Sequence, residues 1–162
     1  MSSPKWFEIA TKLLGTKERV GVDSNPVILE WAKSLNGWVS SFYKDDSIPW
    51  CGLFVAHCLS EAGFNGPRNP LRALAWADWG VPTSPVEGAV LVFRRPGGGH
   101  VGFYVGETAS AYKVRGGNQG DAVSDIWISK DRFVVARWPK DTQILTTKVI
   151  LNSSGNLSAN EV

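Results

Sequence analysis

The apolar residues of this chain change period near its middle. Up to about residue 79 they recur three and four apart. Beyond Pro85 they alternate, or run in short apolar blocks bounded by glycine and proline. A helical period and a strand period on separate stretches exclude an all-helical bundle. They also exclude a regular strand–helix alternation. Helices first and strands second predicts an α+β domain.

The helical stretches have their own punctuation. Trp6 to Leu14 carries Trp6, Ile9, Ala10, Leu13 and Leu14 at helical spacing, and Gly15 is a natural stop. Asn25-Pro26 starts a second helix, with Asn as cap and Pro in the first turn. Val27, Ile28, Trp31, Ala32 and Leu35 form its apolar side. Residues 37–49 read as a loop. A third helix runs from Trp50 or Cys51 to Ala62 and stops at Gly63. Its apolar residues cover more than one side, which predicts a buried helix. A short helix is expected near Leu71 to Trp79.

The second half reads as about five mostly antiparallel strands: Gly88 to Arg94, His100 to Gly106, Tyr112 to Gly117, Ile126 to Ile128 and Phe133 to Trp138. Residues 1–140 are expected to form one domain. Thr146 to Leu151 has strand character, but the polar, glycine-containing run 152–162 reads as a partly flexible appendage.

Composition narrows the functional classes. At 162 residues and 43% apolar content the chain can build one core. Most of its eight Trp are expected to be large packing groups. A net charge of +2 with no Lys/Arg run gives no footprint for nucleic acid. No apolar run is long enough to span a membrane, and Met1-Ser-Ser-Pro-Lys-Trp lacks the pattern of a signal peptide. A monomer made in a cytoplasm, without membrane insertion, is the expectation.

The chemistry starts at Cys51. A thiol at a helix N-terminus feels unpaired N–H groups and the positive end of the dipole, which favour thiolate. The same N–H groups can face a developing oxyanion. Cys58 lies mid-helix among Val55, Ala56 and Leu59 and reads as a core residue. Seven residues of helix separate the two cysteines by about 10 Å, beyond the ~7 Å reach of a disulfide. No Cys/His set has metal spacing, so neither a metal nor another cofactor is expected.

A thiol nucleophile needs a base, and histidine serves near neutral pH. His57 lies about 240° around the helix from Cys51 and cannot reach it. His100 opens a strand after Gly97-Gly98-Gly99 and is the expected base. By alternation His100, Gly102, Tyr104 and Gly106 share one face, and Gly102 leaves room for the Cys51 helix to dock. If Gly106 pairs with Tyr112, Asn118 falls opposite His100, where it would orient the imidazole. Asp121 is the alternative orienter, and Asn118 could instead be a turn residue. Asp45, Asp46, Tyr43 and Trp50 surround the cysteine in sequence. They are expected to help form an oxyanion hole or bind substrate, although the two aspartates could equally be solvated loop charges.

These residues resemble a known family. Asp46-Ser-Ile-Pro-Trp-Cys51-Gly-Leu-Phe-Val55, Gly88-Ala-Val-Leu-Val-Phe93, Gly99-His100-Val-Gly-Phe-Tyr-Val-Gly106 and Gly116-Gly117-Asn118-Gln119 together resemble the NlpC/P60 and CHAP superfamily. The likeness is to a phage-associated branch with a Pro-Trp-Cys motif, and it covers residues 5 to 138. The resemblance implies a papain-like core with the cysteine at a helix N-terminus packed on an antiparallel sheet. It implies Cys51 as nucleophile, His100 as base and Asn118 as orienter. The substrate would be peptidoglycan, cut in a stem peptide or between muramic acid and L-alanine. Where papain keeps a glutamine before its cysteine, this chain has Asp45.

The resemblance also gives the absent leader a meaning. A phage endolysin accumulates in the host cytoplasm and reaches the wall through a holin pore. The alternatives are an injected type VI effector, a virion-attached lysin, and a non-catalytic wall-binding or virion structural module. A transferase or deamidase acting on proteins would use the same Cys–His chemistry.

Overall fold

The structure is a computed structural model, and it describes residues 3–17, 25–35, 50–159 and 161. Among the described residues three helices come first: α1 (Lys5–Lys12), α2 (Pro26–Ser34) and α3 (Cys51–Glu61). A 3-10 helix at Ala73–Asp78 follows, then six strands: β1 (Val81–Thr83), β2 (Val90–Arg95), β3 (Gly98–Glu107), β4 (Ala111–Gly116), β5 (Ser124–Ser129) and β6 (Phe133–Trp138). They form one antiparallel sheet in the order β1-β6-β2-β3-β4-β5. The expected α+β class is therefore present, with six strands rather than five. The additional strand is β1, a three-residue edge strand. An edge tolerates Pro82, which has no N–H to give to a ladder. The short helix expected near Leu71 to Trp79 is a 3-10 turn.

The sheet is curled. In the sheet order β5 and β6 lie four places apart, about 19 Å if the sheet were flat. They are joined only by the 3-10 turn Lys130–Arg132. The four peptide steps from Ser129 to Phe133 reach at most about 14 Å. Contacts across the concave face agree: the rings of Tyr112 on β4 and Phe133 on β6 are 5.1 Å apart, and Phe93 and Tyr104 join them. On the other face Phe103 packs against Phe7 of α1 and Phe54 of α3.

The core explains why α3 is held firmly. Leu53, Phe54, Val55, Cys58 and Leu59 are fully buried. Burying a side chain the size of Leu or Phe contributes about 1.5–3 kcal/mol. Trp6, Trp31, Trp50, Trp76 and Trp138 are also buried, as expected of packing groups. Trp6 meets Phe64 and Trp138 edge-on and donates its indole N–H to Gly88 O at 2.8 Å. Asn25 caps α2 by accepting from Val27 N at 2.8 Å, with Pro26 in the first turn.

The tail is bonded to the sheet at two places. Residues 147–151 run beside the end of β3, where Glu107 N donates to Val149 O and Leu151 N to Glu107 O, both at 2.8 Å. The stretch expected as a strand makes only an isolated bridge, Glu107↔Ile150. Farther on, Leu157 bridges Trp127 of β5, and Ser158 N donates to Trp127 O at 2.8 Å. Polar composition suggested a loose end, but backbone bonding to strand ends can hold a polar segment without an apolar face. Among the described residues no helix is long and apolar enough to cross a membrane.

Candidate active site

Cys51 is the first residue of α3 and is 6% exposed. Trp50, at the cap position, offers no side-chain acceptor, and the first turn holds no acidic residue. The backbone N–H of Gly52 at this helix end acts on the thiol itself and favours its anion. Three glycines let the helix head fit. A Cβ on Gly52 would lie 1.9 Å from Pro70 O. A Cβ on Gly117 would lie 2.7 Å from both the Trp50 ring and Phe54 Cβ. A Cβ on Gly116 would meet the Gln119 amide at 2.6 Å. Gly102, expected to receive α3, instead admits β4: its Cβ would strike Val114 Cγ1 at 2.5 Å.

His100 is fully buried on β3, opposite Phe93 of β2. The β3–β4 ladder ends at the pair Phe103↔Arg115, although β3 itself begins at Gly98. Beyond that pair β4 runs only one residue further, to Gly116, so the start of β3 extends past its end. The head of α3 packs against β3, and the Val101 backbone N–H helps hold the Cys51 thiol below its ordinary value.

The imidazole is oriented by Gln119. Its Nε2 lies 2.8 Å from Gln119 Oε1. The Gln119 amide donates from its own Nε2 to Val114 O at 3.1 Å and Ser124 O at 2.7 Å. Two carbonyls can only accept, so the amide cannot be turned over. Gln119 therefore shows His100 an acceptor, and His100 Nε2 must carry the proton. Nδ1 makes no hydrogen bond of ordinary length and angle, while the Cys51 thiol interacts with the same ring. With Nε2 occupied, Nδ1 is the nitrogen open to the sulfur.

The two groups shift each other. Burial pushes the Cys51 thiol up, but the hydrogen bond and charge of His100, with the N–H groups of Val101 and Gly52, outweigh it and leave the thiol below its ordinary value. Burial pulls the His100 imidazole down, but the thiol, Gln119 and a more distant carboxylate at Glu161 raise it overall. Both shifts favour a thiolate–imidazolium pair. Cys58 behaves oppositely: burial drives its thiol well above the ordinary value. Both cysteines are free. His57 stacks on Trp31 at 5.1 Å, away from Cys51, as its helical position requires.

The structure thus brings together Cys51 and His100 and replaces Asn118 by Gln119. The extrapolated register was nearly right. A bulge at Val105 pairs Gly106 with Lys113 rather than Tyr112, yet Phe103↔Arg115 and Tyr104↔Val114 keep the expected alignment. However, β4 ends at Gly116 and Asn118 turns to φ 58°. The chain leaves the strand there, and the next residue points back to the histidine. Asp121 is exposed, also at positive φ, and is not the residue bonded to the ring. Trp50 is fully buried against Trp31 and Gly117, a wall of the core rather than an open substrate contact. Tyr43, Asp45 and Asp46 lie outside the described residues. Compared with known proteins, the chain matches no family model, no curated protein and no solved structure.

Proposed function

We propose that this chain is a cysteine hydrolase that cuts an amide bond of bacterial peptidoglycan, on a papain-like core of the NlpC/P60–CHAP kind. The observation that carries the reading is the fixed tautomer of His100. Gln119 holds Nε2–H, so the basic Nδ1 is left to a thiol already biased toward thiolate. A buried structural cysteine needs no such arrangement, as Cys58 illustrates.

In the proposed reaction the Cys51 sulfur attacks the amide carbonyl carbon and a C–S bond forms. N–H groups at the head of α3 receive the oxyanion. The imidazolium gives its Nδ1 proton to the leaving nitrogen as the C–N bond breaks. Water, deprotonated by the same nitrogen, then attacks the thioester, the C–S bond breaks and a carboxylic acid leaves. The assignment to peptidoglycan rests on the motif resemblance, as does the reading as an endolysin that reaches the wall through a holin pore.

The test is mass spectrometry of muropeptides released from purified sacculi. Wild type is expected to give new amine and carboxylate ends at one bond, which also separates an endopeptidase from an N-acetylmuramoyl-L-alanine amidase. Cys51→Ala is expected to give none. Identical products from both proteins, or none from folded wild type, would overturn the proposal. Sedimentation with sacculi without bond cleavage would support a wall-binding module instead.

A further inference from the structure

The tail carries a buried carboxylate, Glu161, that the reaction above does not use. Glu161 is 3% exposed, and its carboxylate is bound by Arg132 through both of that side chain's terminal nitrogens. Ser158 Oγ donates to it at 2.5 Å, and Arg132 also donates to Ser158 O at 3.0 Å. An acidic side chain is rarely buried so fully without a partner, and here the partner is placed by the sheet. Arg132 Nε donates to Arg94 O at 2.7 Å. Arg94 pairs with Gly99, and the preceding residue, Phe93, pairs with His100. The clasp therefore lies against the strand pair that carries the catalytic histidine. The tail reaches it by two anchors, on Glu107 and on Trp127.

We propose that Glu161, clasped by Arg132 and Ser158 against the strand pair that carries His100, is a positioning residue for the Cys51–His100 pair. The inference rests on the proposed function only in taking that pair as the working centre. Among the described residues, the groups that act on His100 are Cys51 from α3, Gln119 from the loop after β4 and Glu161 from the tail. Arg132, between β5 and β6, acts on it in the opposite sense, by partly neutralising Glu161. Glu161 and His100 each favour the ionised form of the other. A carboxylate in a dry setting acts over several ångströms with little screening.

The experiment is an imidazole NMR titration of the full chain, in which His57→Ala assigns the two histidines. Glu161→Gln keeps the shape and removes the charge, and it is expected to move the His100 inflection to lower pH. Arg132→Gln unmasks the carboxylate and is expected to move it to higher pH. Opposite signs are the signature of charge, since mere loosening of the tail would move both variants the same way. An unmoved inflection in folded Glu161→Gln, or shifts of one sign in both variants, would overturn the inference. Should Glu161→Gln fail to fold, Arg132→Gln decides alone, and an unmoved inflection there refutes it. The pH dependence of Cys51 alkylation by iodoacetamide separates the two levels. If Cys51 shows no thiolate at neutral pH, the hydrolase reading fails. If the thiolate is present but Glu161 does not influence His100, only this inference fails.

Discussion

Replacing Gln119 by alanine tests the site where structure and sequence part. The substitution removes the acceptor from His100 Nε2 and the two donations to Val114 O and Ser124 O. Each of these hydrogen bonds has a net value of about 1 kcal/mol, and a buried group left unpaired costs about 1–3 kcal/mol. The expected loss of stability is therefore about 3 kcal/mol. The chemical effect is separate. Without Gln119 the ring is free to place its proton on Nδ1, the nitrogen that must receive the thiol proton. Losing about 1.4 kcal/mol of preference for the productive tautomer lowers the reactive fraction about tenfold, and a rotated ring adds to that. The assay is the rate of Cys51 alkylation at neutral pH beside the rate of sacculus hydrolysis, with a thermal melt as control. Gln119→Ala is expected to lose about tenfold or more in both rates. Asn118→Ala, which changes no contact to the ring, is expected to keep most of both. If Asn118→Ala were the damaging variant and Gln119→Ala harmless, Gln119 would not be the clamp on His100.

Three further outcomes follow from the same geometry. Cys51→Ala should abolish alkylation and hydrolysis while melting like the parent, whereas Cys58→Ala should keep both activities and lose about 1–2 kcal/mol to a small cavity, read by denaturant unfolding. Gly52→Ala should destabilise by about 1–3 kcal/mol or more and displace the head of α3, because its Cβ has only 1.9 Å to Pro70 O; the measurement is a melt together with the Cys51 alkylation rate. Glu107 and Glu161 are both pushed up by burial but held lower overall. Lys130 and Tyr104 do this for Glu107, and Arg132 and Ser158 for Glu161. Their folded values lie below the unfolded value of about 4.3, so their stabilisation is complete above that pH and is lost as pH falls through the folded values. Melts from neutral to acid pH should show this decline, and Glu161→Gln should flatten it.

The elements were legible wherever a local rule decided them. Asn25-Pro26 announced α2, and the apolar run after Cys51 announced a buried helix whose first residue is the thiol. Phe133 to Trp138 came out with its observed bounds. The curl of the sheet was not legible. It depends on a three-residue turn joining strands that belong to distant places in the sheet order, and strand order is not written in any one strand. The same is true of the tail. Its backbone pairs with Glu107 and Trp127, and backbone groups carry no residue-type signal.

The third member of the site shows the limit most sharply. Register arithmetic extends a ladder as though the strand continued, and it did so correctly as far as Arg115. What it cannot include is the reason the strand stops. Gly117 stands where a side chain would collide with Trp50 or Phe54, and Gly116 where one would collide with Gln119, so α3 and Gln119 can pack this closely only against glycines. The departure that admits the thiol also turns the backbone at Asn118 to positive φ and sends the next side chain inward. Seating of the cysteine and placement of Gln119 on the imidazole therefore share the same glycine-lined strand end. If a side chain at Gly117 kept α3 out, Cys51 should lose its imidazole partner. A folded Gly117→Ala protein with undiminished Cys51 alkylation at neutral pH would break that link.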